Sequence, residues 1–303
     1  MDFSGNNNYR SKKMLQRIKS LPWVRSLSRT GALFLRSKTG LVSIIVLLSY
    51  VVIAVFAGYI APYSPTAIDL AQRQLPPSFK HLFGTDYFGH DVFSQIVFAV
   101  RLDLELAFLA VTIGYTIGVL AGIFAGYTGK FTDNAVMRVM DVFLAFPVLI
   151  FAVAIAIVVG EGFWAIVIAV SVTSIPGFSR IARSAILVTK NELYVTAAIS
   201  QGASKAHILF RHVLPAAISP TIVFYALGLG SAILLSSGLS FLGVGIQPPT
   251  PELGAMIYQP FFYSELTDWW LVVFPGIFIV VIVIAFNMMG DTLREVTDVT
   301  LRR

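Results

Sequence analysis

The chain has 303 residues, 56% hydrophobic and only 13% charged, where a soluble domain carries about 25% charged residues, and its mean hydropathy is +0.79. It has no cysteine and four histidines, which excludes disulfides, thiolate metal sites and cysteine nucleophiles and leaves little for a histidine-built metal centre. Net charge is +6, yet residues 1–40 hold nine Lys/Arg against Asp2 while the rest is net acidic, so the basicity belongs to a tail beside a membrane and not to a nucleic-acid surface.

The tail mixes Met14, Leu15, Ile18, Leu21, Trp23 and Val24 with Lys and Arg. It reads either as a helix lying on lipid at the inner leaflet or as a disordered basic segment. Beyond it come six runs of nearly uncharged sequence, at 41–60, 106–126, 142–159, 163–175 with an extension to 188, 217–246 and 270–288. A bilayer core needs about 20 apolar residues per helix, and these runs lack the alternation of barrel strands. The pattern predicts an all-α membrane protein with six transmembrane helices in the cell membrane. A six-helix transmembrane domain at 41–290 then lies between the tail 1–40 and a short tail 291–303. The first run is too long for a signal-peptide core, which argues against cleavage. With the N-terminus inside, Lys and Arg divide 19 to 3 in favour of the inner side, so both termini are expected in the cytoplasm. Segment 61–98 then lies outside and segment 189–215 inside. Trp269 and Trp270, opening the sixth run, suit interfacial anchors.

Enzyme chemistry lacks its parts. No G-x-x-x-x-G-K occurs; Gly129-Lys130 has Phe124 where the first glycine belongs, so no phosphate cradle exists. Ser236 and Ser237 have no histidine base within the spans, because His81, His90, His207 and His212 all fall outside them. The one charge found between the span ends is Asp141, at the cytoplasmic edge of the third run, with Arg138 three residues earlier on the same helical face; it reads as a structural ion pair at a helix end or as a gating or proton-coupling carboxylate. No midplane carboxylate is found of the kind an ion-driven transporter keeps. Gly114, Gly118, Gly122 and Gly126 recur every fourth residue, so another helix can approach closely there. In the fifth run, Gly228, Gly230, Ser231, Ser236, Ser237, Gly238 and Ser240 form a small, weakly polar stretch that either lines a path for a polar solute or packs tightly. His81, Asp86, His90 and Asp91 suggest a metal set or, more simply, turn chemistry.

Segment 189–215 carries the strongest signal. Ala197, Ala198 and Ile199 favour a helix, Gly202 breaks it, and a second short helix is expected over 205–213. The two together form a cytoplasmic knob without a pocket, a shape for another protein to grip. This string resembles the EAA loop of ABC importer permeases, E-A-A, three residues, Gly, nine residues, I-x-L-P. Ala197 and Ala198 take the alanine places, Gly202 the glycine, and Leu214-Pro215 the end, while Thr196 replaces the Glu and His212 the Ile. Other strings resemble the C-type permeases of dipeptide, oligopeptide and nickel importers. They are Gly84 to Asp91, with His90 where Arg is usual; Leu239 to Pro249; Arg138 and Asp141 with Pro147; and Asn287, Gly290, Asp291, Leu293 and Arg294.

The resemblance implies a type I ABC importer permease architecture. A second homologous permease subunit would complete the pathway, and two cytoplasmic ABC ATPase subunits would hold ATP and magnesium, this chain carrying no cofactor. An extracytoplasmic solute-binding protein would deliver the substrate. Thr196, Ala197, Ala198, Gly202, Ala203, Lys205, Leu214 and Pro215 would form the ATPase-coupling loop, and Ser231, Ser236, Ser237 and Ser240 the translocation path. The competing expectation is a secondary transporter or channel working without ATPase partners.

Overall fold

The computed structural model describes residues 31, 33–263 and 268–301, and the basic tail lies almost wholly outside them. Helix α1 (Lys38–Val55) starts at Ser37, whose hydroxyl accepts from Gly40 N–H, and a short α2 (Ala57–Ile60) follows. Leu41, Ile45, Leu48, Val52 and Val55 are exposed, at alternating spacings of four and three, on one face of α1. Tyr50 is buried on another, its hydroxyl donating to Phe278 O at 2.9 Å. Such a peripheral, one-sided helix presents its apolar stripe to lipid.

Helix α3 (Val92–Thr128) is longer than the apolar run it contains. The run starts at 106 because Arg101, Asp103 and Glu105 interrupt hydropathy, but Arg101 bonds Glu105 one turn on and Asp103 is buried. The helix begins instead where Asp91 accepts from Ser94 N–H at 2.8 Å, an N-cap. At 1.5 Å per residue it spans about 55 Å, well beyond a bilayer core of about 30 Å.

The third run does not form one helix. α4 (Lys130–Leu144) and α5 (Val148–Val159) are bent by 90° at the intervening break. Pro147 has no N–H to continue the ladder and pushes Phe146 away from the helical region. α5 alone, at about 18 Å, is too short to cross. Helix α6 (Phe163–Thr189) is followed by α7 (Leu193–Ser200), α8 (Lys205–Ile208) and α9 (Leu214–Phe241). The last two helices are α10 (Leu253–Tyr263) and α11 (Trp270–Leu301). Five helices are individually long and apolar enough to cross a membrane, and the α4–α5 pair supplies a sixth span if counted as one.

The tightest packing joins α3 to α6. A Cβ at Gly118 would stand 2.6 Å from Ile175 O, one at Gly122 would strike Ser179 O, and one at Gly126 would stand 2.9 Å from the Ile186 side chain. Ser171 Oγ donates to Ala110 O at 3.0 Å across the same seam. Between apolar helices in lipid, association rests on such close approach and not on burial from water, and the every-fourth glycine spacing provides it. Trp270 departs from its expected role as an interfacial anchor. It is buried, and its indole N–H donates to Thr85 O at 3.3 Å, tying the 61–91 segment to α11. Trp269 stays exposed.

Candidate functional site

The 189–215 segment is anchored from beneath. Ile186, Val195, Ile208, Val213 and Ala217 form a small apolar core of their own. Lys190 Nζ donates to Gly126 O at 3.0 Å and Tyr127 Oη to Lys205 O at 2.6 Å, fixing the segment to the end of α3. Gly202 breaks the chain as expected, with φ +80° and open space around it. Ser204 then caps α8 by accepting from His207 N–H. Thr196, Ala197, Gly202, Lys205 and Pro215 are exposed, while Ala198, Ala203 and Leu214 are half-buried. Thr196 Oγ1 turns back toward Glu192 O on its own helix. Leu193 and Phe210 stand out, 85% and 67% exposed, with Ile199 also exposed. Partial burial, and then the Glu192 carboxylate, push the Tyr194 phenol above its ordinary value, so it stays a neutral donor.

One expectation for this segment needs correction: the second short helix does not end at Leu214-Pro215. α8 passes through a π turn (Leu209–Val213), where Leu214 N–H bonds Leu209 O, straight into α9. Pro215 cannot bond back to the preceding turn, and the widened turn before it absorbs that missing donor without ending the helix. Residues Lys205–Phe241 therefore make one apolar rod of 37 residues.

Along this rod and α6 runs a groove. A cavity of about 580 Å³ is lined by Thr173, Ser174, Phe178, Gly228 and Ser231 among apolar neighbours, and another of about 790 Å³ by Thr189, Glu192, Tyr194 and Arg294. Both include Ile181 and Phe224, so the groove extends from mid-bundle to the 189–215 end. Ser231 is the one serine of the four path candidates on its wall. Ser236, Ser237 and Ser240 are buried elsewhere: Ser236 Oγ donates to Ile233 O, Ser240 Oγ accepts from Ile246 N–H, and Ser237 backbone lies against Gly254. Those three pack the α9–α10 corner, whereas Thr173 and Ser174 on α6 supply groove hydroxyls that a search for small residues on one helix missed.

Asp141 does not pair with Arg138. Arg180 of α6 donates to it at 2.6 Å, and Arg183 of α6 pairs with Asp133. The bend after α4 lays that helix across α6, so the cross-helix arginines are nearer than the one a turn back. In segment 61–91 the candidate metal residues split into two pairs. Asp86 accepts from Phe88 N–H, His90 N–H, His90 Nδ1 at 2.7 Å and Gln95 Nε2, while Asp91 accepts from His81 Nδ1 at 2.9 Å, Ser94 N–H and Ser94 Oγ. Both carboxylates are consumed by turn and cap donors. The sequence also left one acidic pair unseen: Asp103 on α3 and Glu252 just before α10 are both buried. Taking charge as the end of a membrane run placed Asp103 outside, and Glu252 falls between the fifth and sixth runs, beside Pro248, Pro249, Pro251 and Gly254.

Comparison with known proteins agrees with this architecture. The family model described as "Binding-protein-dependent transport system inner membrane component" matches residues 118–303, and "N-terminal TM domain of oligopeptide transport permease C" matches 28–77. The chain is 37% identical over 263 residues to the dipeptide transport system permease protein DppC of Alkalihalophilus pseudofirmus, covering 87% of this chain and 86% of that one. It is 39% identical over 266 residues to the glutathione transport system permease protein GsiD of Escherichia coli O157:H7, covering 88% of each. Among solved structures, an inward-facing MetNI methionine ABC transporter chain is similar in fold, with TM-score 0.55 and 23% identity over 67% of this chain and 97% of that one. A multi-pass α-helical chain with these matches belongs to the inner-membrane permease family of binding-protein-dependent ABC importers.

Proposed function

We propose that this chain is the permease subunit of an ATP-driven importer for peptides or similar small polar solutes, and that segment 189–215 couples ATPase motion to alternating access. The observation that carries this is the unbroken rod 205–241: its one end is the exposed, internally braced loop and its middle, at Gly228 and Ser231, is the groove wall. A push on the loop is thereby delivered to the path. Both termini and the loop face the cytoplasm, where two ABC ATPase subunits supply ATP and magnesium. Exposed Leu193, Ile199 and Phe210 give those subunits an apolar surface to seat on. The groove is open along one side, which suits closure by a second, homologous permease. An extracytoplasmic binding protein delivers the solute. The dipeptide and glutathione relatives support small peptidic substrates, and Thr173, Ser174 and Ser231 offer such a solute hydroxyl partners along an otherwise apolar wall.

Gly202→Val in the assembled transporter tests the coupling. A β-branched residue is strained at φ +80°, but the open surroundings mean that nothing in the bundle is disturbed. ATP-driven uptake should fall at least about tenfold, a loss near 1.4 kcal/mol of coupling, while membrane insertion is unchanged. Normal uptake would remove the coupling role, and uptake by this chain without ATPase subunits would favour a secondary transporter.

A further inference from the structure

Two carboxyl groups meet inside the protein at the end of the bundle away from the 189–215 loop. Asp103 on α3 is 1% exposed and Glu252 is fully buried. Each has one oxygen engaged by the first turn of α10: Asp103 Oδ2 accepts from Leu253 N–H at 3.3 Å, and Glu252 Oε2 from Ala255 N–H at 2.6 Å. The other oxygens, Asp103 Oδ1 and Glu252 Oε1, are buried and meet no donor. Leu253, whose N–H bonds Asp103, directly follows Glu252 in the chain, so the two carboxyl groups are close neighbours in the buried site.

An ionised carboxylate can only accept hydrogen bonds, and two of them facing one another in a dry interior cannot both stay ionised. Among the described residues no Lys, Arg or His forms an ion pair with either. The surrounding polar groups do not supply a cation. On α9, Ser240 faces Glu252; on α10, the amides of Gly254 and Ala255 do. On α3, Arg101 and Glu105 pair with each other at the exposed surface. Asp268, ahead of α11, accepts from Gln74, and Glu161, between α5 and α6, lines a separate recess with Leu102 and Gln247.

We propose that Asp103 and Glu252 hold a single proton between them, and that this proton latches α3 to the start of α10. The shared proton gives the buried pair a donor that two ionised carboxylates lack. The remaining negative charge faces the N–H groups of α10's first turn, where a helix favours an anion. When the proton leaves to bulk water, two carboxylates face each other across the α3–α10 contact, and the repulsion is relieved by moving α10 away from α3. Burial pushes the Glu252 carboxyl up to about 7 from its ordinary 4.5. The folded protein therefore holds the proton more tightly than the unfolded chain does. Its stabilising contribution is complete below about 4.5 and is lost as pH rises through about 7. The latch is independent of how segment 189–215 couples to its partner.

The test uses the full chain in lipid nanodiscs with choline as the added cation. Infrared difference spectra between about pH 5.5 and about pH 8.5 should show a buried protonated-carboxyl band lost at the higher pH. Glu252→Gln and Asp103→Asn should each abolish that band. The glutamine amide donates permanently where the proton did, so Glu252→Gln should unfold a few degrees above wild type at the higher pH and level with it at the lower. Absence of the band in wild type overturns the proposal, even if the variants fail to fold. A rise in the wild-type midpoint with sodium or calcium chloride at the higher pH, absent in Glu252→Gln, would also overturn it, since a metal cation would then hold the pair.

Discussion

Segments 61–91 and 189–215 are both polar excursions from an apolar bundle, and both expose large apolar side chains, Ile68, Leu70, Phe79 and Leu82 in the first and Leu193, Ile199 and Phe210 in the second, but they differ in what braces them from beneath. The first turns its polarity inward. Thr85, Asp86, His90, Asp91 and Ser94 are buried, each carboxylate is filled by three or four donors, and Trp270 closes over Thr85. The second rests instead on a small apolar core of five buried residues, Ile186, Val195, Ile208, Val213 and Ala217. Large apolar groups left exposed on either segment are what a covering surface needs. The difference lies in the bracing: buried polar bonds hold the first segment and a small apolar core holds the second.

Substitutions can break that contrast, and they rank by the stability they remove. Asp86→Ala orphans three buried donors and one half-buried one and should cost about 3–5 kcal/mol, read as a lower unfolding midpoint in nanodiscs; a midpoint unchanged from wild type would mean segment 61–91 is not self-supporting. Gly122→Leu drives a side chain into the α6 backbone at Ser179 and should cost about 1–3 kcal/mol by overpacking, measured the same way. Asp141→Asn removes a half-exposed ion pair with Arg180, worth less than about 1 kcal/mol. The double change Leu193→Ser, Phe210→Ser should leave the midpoint within about 0.5 kcal/mol yet sharply reduce co-purification of ATPase subunits. If co-purification persists, the exposed face of 189–215 is not where they bind.

Much of this was legible from spacing alone. Glycines at 114, 118, 122 and 126 announce a helix seam because four residues nearly complete a turn, and Gly202 announces a break because it takes the left-handed region without strain. The unread features depend on neighbours that spacing does not reveal. Ser231 and Ser236 have identical chemistry, and their different fates, groove wall and packed corner, follow from where α6 and α10 lie. A Trp pair looks like an interfacial anchor until a loop folds over one member. Pro147 was visible, but its consequence, a 90° bend and exchanged partners for Asp141, is set by α6. Asp103 was hidden by treating charge as a boundary, when a carboxyl with a partner can sit within the helix.

The glycine seam also restricts how the bundle can move. The bare positions on α3 are matched turn by turn to carbonyls and side chains of α6, at Ser171, Ile175, Ser179 and Ile186. Sliding one helix along the other by less than a turn, about 5.4 Å, would carry bulky neighbours onto the places now kept empty. The two helices have no graded series of offsets available, so shear between them is forbidden while bending and tilting as one beam are not. Any rearrangement of the groove must then be borne elsewhere, such as at the corner at Pro147, leaving the α3–α6 pair as the fixed reference against which the rod 205–241 tilts.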